Sequence, residues 1–262
     1  MREEKTLKIQ GMESTPNRNA PRFYVAETLS AGSEVCLPER ASNHIAVLRL
    51  REGEPITLFN GDGAEYPSIL LRPSRKNAMA RVSACLPVDR ESRLDITLAQ
   101  SLSGSDRMDV TLQKATELGV RAIQPLESER SVVRLSGDRV EKRMTHWRNV
   151  ITAACEQCGR NLPPALRGIE RLQEWLVTNA VAAPQEVRLL LSPEAETGLS
   201  RINRSDVITL LVGPEGGLAP HEHAAALAAG FVPVRLGPRV LRTETAPLAA
   251  VAALQTLWGD MG

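Results

Sequence analysis

Two short glycine-bearing segments hold most of the residues that could do chemistry. In the first, Gly213, Pro214, Glu215, Gly216 and Gly217 follow an apolar run at 207–212. In the second, Gly237, Arg239, Leu241, Arg242, Thr243, Glu244 and Thr245 lie between an apolar run ending at Leu236 and an alanine-rich stretch that begins at Ala246. Glycine lets backbone approach a ligand closely, and ligands of open α/β sheets bind at the carboxyl ends of strands. Arg239, Arg242 and Glu244 fall within six residues, squeezed between apolar neighbours. Charges enclosed in this way are partly buried, and hence paired or functional. A carboxylate beside a cation can remove a proton and stabilise the anion left behind. Neither segment is G-x-G-x-x-G, and no G-x-x-x-x-G-K-[ST] occurs, which disfavours a nicotinamide Rossmann site and a P-loop kinase.

The cysteines carry a weaker signal. Cys36 and Cys85 stand alone, whereas Cys155 and Cys158 form a C-x-x-C, the spacing of a redox pair or of half a zinc site. The chain has no second such pair, and His146 is the only histidine nearby, so no metal is expected. The stretch from Ile151 to Gly159 reads instead as a helix end closed by glycine, with its thiols acting as small apolar groups.

With 262 residues, 42% hydrophobic and 24% charged, the chain can bury the core of one large domain or two ordinary ones. Its net charge of +1 is not that of a strongly basic nucleic-acid-binding domain, so any RNA contact must come from a local patch. Arg130, Arg134, Arg139, Lys142, Arg143 and Arg148 supply one, against Asp138 and Glu141, and Arg49 and Arg51 add a pair near the N-terminus. Arginine both neutralises phosphate and stacks on bases, although ordinary surface arginines would look the same. No apolar run approaches the roughly 20 residues needed to cross a bilayer, and the N-terminus has no apolar signal core. A soluble cytoplasmic protein with no membrane partner is expected.

These residues must be positioned by the elements around them. Residues 1–20 read as a flexible extension. Segments from 21 to 92 are short and mostly closed by Gly or Pro, which predicts a small β-rich domain. Asn60, Gly61, Asp62 and Gly63 between two β-prone runs predict a hairpin, and residues 40–49 predict one or two helical turns. From 93 to 262 strands are expected at 94–99, 120–126, 187–191, 207–212 and 231–236. Helices are expected at 108–118, 140–158, 222–229 and 246–258, three of them stopped by Gly119, Gly159 and Gly230. Such alternation means an α/β domain with a mostly parallel sheet. Both glycine segments then sit at strand carboxyl ends. The last helix is apolar nearly all round, which marks it as core or as an oligomer interface.

At these residues the sequence resembles the RsmE family, the ribosomal RNA small-subunit uridine-N3 methyltransferases. The resemblance is carried by 213–217 with 236–245, by 113–119 with 128–133, by 156–160, and by 21–24 and 47–51. It runs from about residue 21 to 260 and implies an α/β fold. A PUA-like RNA-binding β-barrel would span 21–92, followed by a trefoil-knotted SPOUT methyltransferase domain with a parallel sheet over 93–262. The implied cofactor is S-adenosyl-L-methionine, the implied assembly a homodimer, and the implied partner 16S ribosomal RNA in the small ribosomal subunit. Carried onto this chain, the cofactor would be held by Leu191 with Ser192, Pro193 and Glu194, and by Gly213, Pro214, Glu215, Gly216 and Gly217. Leu236, Gly237, Arg239, Leu241, Arg242 and Ala246 would complete that pocket. Arg22, His44, Arg49 and Arg51 would meet RNA from the first domain, and Arg130, Arg134 and Arg160 from the second. Asn43 before His44 departs from the histidine pair that the family often has.

The implied reaction sets its own demands. Uridine N3 must lose its proton as it attacks, and charge builds on the flanking carbonyl oxygens, so a base and a cation are required. Glu244 is the candidate base and Arg242 the candidate cation, with Glu215 as the other possible base. Alternatively, Glu244 pairs with Arg242 and simply holds the loop. Two other functions stay open on the sequence: a knotted methyltransferase with another RNA target, and a non-catalytic RNA-binding factor in ribosome assembly.

Overall fold

A computed structural model describes residues 20–262, and the chain separates between Asp89 and Arg90 into two compact units. Apart from Ala20, the extension expected at the N-terminus lies outside the described residues.

The first unit contains β1 (Arg22–Tyr24), β2 (Glu34–Cys36), α1 (Glu39–Leu48), β3 (Pro55–Phe59), β4 (Ala64–Arg72), β5 (Met79–Val82) and β6 (Leu86–Pro87). Its sheet runs β1-β3-β4-β5-β2, with β6 on β4. Only the β1–β3 ladder is parallel. The predicted hairpin joins β3 to β4, with Leu58 opposite Tyr66. Its turn needs glycine, because Gly61 and Gly63 have φ of 90° and 96°, a region L side chains avoid. Asp62 fixes the turn by accepting from the Ala64 N–H at 2.8 Å and the Tyr66 hydroxyl at 2.5 Å. Tyr66, Ser68 and Leu70 alternate inward along β4, the period of a strand with one face on the core. That core includes Phe23, Leu37, Ile45, Ile56 and Leu58. Helix α1 is longer than the turn or two expected. Buried Ser42 ties it down, donating to the Leu37 carbonyl at 3.1 Å and accepting from the Ala78 N–H at 3.0 Å.

The second unit alternates strand and helix. Its elements begin with β7 (Asp95–Ser101), α2 (Ser105–Glu117), β8 (Ala122–Glu127), α3 (Asp138–Cys158), β9 (Ala165–Leu166), β10 (Glu170–Arg171) and α4 (Leu172–Thr178). They continue with β11 (Val187–Leu191), β12 (Val207–Val212), α5 (Pro220–Ala228), β13 (Val232–Val234) and α6 (Thr245–Leu257). The sheet order is β10-β8-β7-β12-β11-β13, with β9 also on β8, and every ladder is parallel. Strands covered on both faces read as continuous apolar runs, which is why 187–191 and 207–212 were legible to the residue. Helix α4 was not foreseen. Its seven residues are too few to display a period, yet Leu172, Trp175 and Leu176 all turn inward onto the core with Phe231.

Helix α6 buries Pro247, Ala250, Val251, Leu254 and Gln255, the i, i+3, i+4, i+7, i+8 stripe of a core-facing helix. Gln255 Nε2 donates to the Leu118 carbonyl at 2.9 Å, and its Oε1 accepts from Ser92 at 2.8 Å. Gly119 lies beneath it with φ +84°, and a Cβ there would come within 3.0 Å of Gln255 Nε2. Cys155 is buried and Cys158 partly so. Burial pushes the Cys158 thiol up, which suits a packing role. Among the described residues no group of three or more His, Cys, Asp or Glu could hold a metal ion. No helix of the described residues is long and apolar enough to cross a membrane.

Candidate active site

A parallel sheet sends all its strand carboxyl ends to one edge, where ligands of such sheets bind. There the segments after β11, β12 and β13 enclose a cavity of about 900 Å³, within the range of small-molecule sites. Leu190, Leu191, Val212, Val234 and Leu236 give it apolar walls, and Gly213 to Gly217 form a backbone rim. Gly237, Arg239, Leu241, Arg242, Glu244 and Ala246 come to the same cavity from the second segment. The residues expected to hold a cofactor therefore lie together around one space.

The two glycine segments brace each other. Thr243 Oγ1 donates to the Gly213 carbonyl at 3.1 Å and accepts from Gln100 Nε2 of β7 at 3.4 Å. Gly213 is closely packed, since an added Cβ would stand 3.2 Å from the Leu218 nitrogen and press on it. Arg130 Nη1 donates to the Gly216 carbonyl at 3.0 Å, so this arginine supports the cavity rim as well as being exposed. Glu222 in α5 accepts from the Ala219 and Glu129 N–H groups at 3.0 and 2.8 Å, which pins the segment after β8 to the start of α5.

The cation between the two candidate carboxylates was not foreseen. Arg107 Nη1 meets Glu215 Oε1 at 2.7 Å, and its Nε lies 3.8 Å from Glu244 Oε2. Glu215 also accepts from the Gly104 N–H at 3.3 Å. Burial works against the charge on Glu215, but its own backbone N–H, the Arg107 guanidinium and the Gly104 N–H outweigh it and hold the carboxyl below the usual glutamate range. Glu244 Oε2 is buried and has no hydrogen-bond partner among the described residues. The alternative pairing of Glu244 with Arg242 is not found among the described residues: the cation facing Glu244 is Arg107, while Arg242 is exposed at the cavity. Arg107 was missed because α2 starts at Ser105 rather than Met108. Gly104 at its N-cap makes no side-chain cap, and the apolar period that marks the helix begins only at Met108.

Two arginines expected on RNA are committed elsewhere. Arg160 is 5% exposed. Its guanidinium pairs with Glu91 at 2.6 Å and donates to the Thr116 and Val120 carbonyls at 2.8 and 3.0 Å. It braces the end of α2 from inside the fold. Arg22 is half-buried in the first unit, paired with buried Glu65 and stacked 5.0 Å above the Phe59 ring. His44, Arg49, Arg51, Arg130 and Arg134 are exposed. The His44 ring packs edge-on against Phe23 at 5.5 Å. Arg134 reaches Glu127 at 3.3 Å and the Glu129 carbonyl at 3.2 Å.

This geometry has clear relatives. Residues 90–255 match the RNA methyltransferase domain family, and residues 37–83 match the RNA methyltransferase PUA domain family. The chain is 33% identical over 245 residues to ribosomal RNA small subunit methyltransferase E of Mycobacterium tuberculosis, covering 90% of this chain and 91% of that protein. The same enzyme of Neisseria gonorrhoeae, solved bound to S-adenosyl methionine, is similar at 45% identity and a TM-score of 0.85, over 93% of this chain and 100% of that one. A Legionella pneumophila protein solved with the bound cofactor SAM follows the fold at 39% identity and a TM-score of 0.86, over 92% and 99% of the two chains. The chain belongs to the ribosomal RNA small subunit methyltransferase E family of RNA methyltransferases.

Proposed function

We propose that this chain transfers the methyl group of S-adenosyl-L-methionine to N3 of a uridine in 16S ribosomal RNA of the small ribosomal subunit. The observation that carries this reading is Glu244, whose buried Oε2 lacks a hydrogen-bond partner among the described residues and stands at a cavity rimmed by two glycine segments. An unmatched buried carboxylate oxygen is costly in a merely structural loop and useful where a proton must be received.

The residues present fit the cofactor. The cavity has apolar walls, a glycine rim closely packed at Gly213, and two carboxylates among its lining residues. Leu191, Leu236 and Leu241 would hold its apolar parts, and backbone from Gly213 to Gly217 its polar ones. When bound, it supplies an electrophilic methyl group on a positively charged sulfur. Glu244 takes the N3 proton, and exposed Arg242 stands where it can meet the negative charge that builds on a uracil carbonyl oxygen. Arg49 and Arg51 in the PUA unit, and Arg130 and Arg134 in the methyltransferase unit, supply exposed cations for RNA phosphates.

Two structural expectations of the family belong to the same proposal. After edge strand β13 the chain returns across the end of β12 to meet Gly213 and, on β7, Gln100. That passage supports a trefoil knot around the cofactor segments. The outer side of α6 carries half-exposed Leu248, Ala249, Ala252 and Ala253, and Leu257 and Val240 are 50% and 79% exposed. Apolar surface of this kind supports a homodimer. A substrate in ribosomal RNA supports a cytoplasmic location.

The test is to incubate the protein with methyl-labelled S-adenosyl-L-methionine and small ribosomal subunits lacking their normal methylations, with naked RNA alongside. Label in 3-methyluridine is expected. Label in another nucleoside would overturn the target, and absence of both label and cofactor binding would overturn the enzyme.

A further inference from the structure

Arg107 belongs to neither glycine segment, yet it joins them. It projects from the first turn of α2, and different nitrogens of its planar fork face the two carboxylates: Nη1 at 2.7 Å from Glu215 and Nε at 3.8 Å from Glu244. The platform beneath it is firmly held. Ser105 Oγ accepts from Arg143 of α3 at 2.6 Å, Asp109 meets His146 of α3 at 2.7 Å, and Thr111 Oγ1 donates to the Arg107 carbonyl at 2.9 Å. A side chain on a helix tied to its neighbour at two points holds its geometry better than one on a loop.

We propose that Arg107 is a positioning residue for methyl transfer, clamping Glu215 as its counter-ion and leaving Glu244 alone to receive the imide proton. The proposal rests on the uridine-methylation reading above. Arg107 and the Gly104 N–H both donate to Glu215 Oε1, so that oxygen is held by two donors. Glu244 has only the long Arg107 contact, and its Oε2 is buried without a hydrogen bond among the described residues. The two acids, similar in the sequence, are therefore unlike in the fold. A cation between two carboxylates also cancels the repulsion that would push them apart, so Glu244 is kept at the cavity without being consumed in a tight pair. In the step itself the proton leaves N3 for Glu244 as N3 gains the methyl group, and the sulfur keeps the electron pair of the broken S–C bond.

The experiment has an activity arm and an arm that needs no activity. In the first, Arg107→Ala is compared with wild type for 3-methyluridine formation, with and without added guanidinium. A misplaced reacting group costs on the order of 10²-fold. We expect kcat to fall by that amount with KM for the cofactor little changed, and guanidinium to restore part of the loss. Guanidinium should not restore Glu244→Gln, which lacks the acceptor itself. In the second arm the Glu215 carboxyl is titrated by NMR, and its midpoint should rise in Arg107→Ala. Wild-type turnover in Arg107→Ala, where wild type makes 3-methyluridine, would overturn the positioning role. An unchanged Glu215 midpoint would overturn the clamp whatever the activity. A raised midpoint in a protein that makes no 3-methyluridine would uphold the clamp and overturn the functional reading instead.

Discussion

Thr243 Oγ1 and the Gly213 carbonyl meet at 3.1 Å, and this one hydrogen bond joins the two glycine segments 30 residues apart in the chain. The hydroxyl is buried and also accepts from Gln100. Thr243→Val keeps the shape and removes both bonds. Leaving buried polar partners unmatched costs about 1–3 kcal/mol. The variant is expected to unfold at lower urea and to bind S-adenosyl-L-methionine roughly tenfold more weakly, as read by calorimetry. Thr243→Ser should restore both properties.

Arg160 gives a prediction opposite to its first reading. Removing one partner of a buried ion pair costs roughly 3–5 kcal/mol, and Arg160 also serves two backbone carbonyls at the end of α2. Arg160→Met should lower stability by about that amount in urea unfolding, while the RNA affinity of the folded fraction stays unchanged.

Arg49 carries an opposing pair of effects. It closes α1 in the left-handed region, at φ 57° and ψ 34°, where a non-glycine residue costs about 1 kcal/mol. Arg49→Gly is expected to raise the melting temperature of the protein while weakening RNA binding. If Arg49 neutralises one phosphate, the slope of log affinity against log salt should fall by about 0.7–0.9. Binding titrations across a salt series read both quantities.

Stability at acid pH should depend on Glu186. Burial disfavours its charge, but Thr209 at 2.6 Å, the Ala183 N–H at 2.8 Å and Arg188 at 3.1 Å outweigh that and hold the carboxyl below the usual range. A folded-state pKa below the unfolded one gives stability that is full above the unfolded value, about 4.3. It is lost as pH falls through the lower folded value. Glu186→Gln should be less stable than wild type at pH 7, and its urea midpoint should fall less steeply on acidification.

The fold was legible where one physical signal acted alone. Val187–Leu191 and Val207–Val212 are covered on both faces, so apolarity marked them without reference to distant residues. Both glycine segments could be placed at one sheet edge for the same reason. What could not be read depends on partners far along the chain. Arg160 and Arg130 look alike as sequence, but Glu91, 69 residues away, makes the first a buried brace. Glu244 was the first candidate base and Glu215 the other, but what distinguishes them in the fold is Arg107, 108 residues before Glu215. The first turn of α2 has no capping side chain and is bonded to α3 through Ser105 and Arg143, and the residue most needed to interpret the site lay in those first unpredicted positions.

The most direct test of the account is single-turnover formation of 3-methyluridine by wild type and Glu244→Gln at saturating S-adenosyl-L-methionine. Loss of a general base lowers the rate by roughly 10²–10⁴-fold, and that fall is predicted with cofactor affinity unchanged. A Glu244→Gln protein that forms 3-methyluridine at the wild-type rate would contradict the assignment of this carboxylate, and with it the chemistry proposed for the cavity.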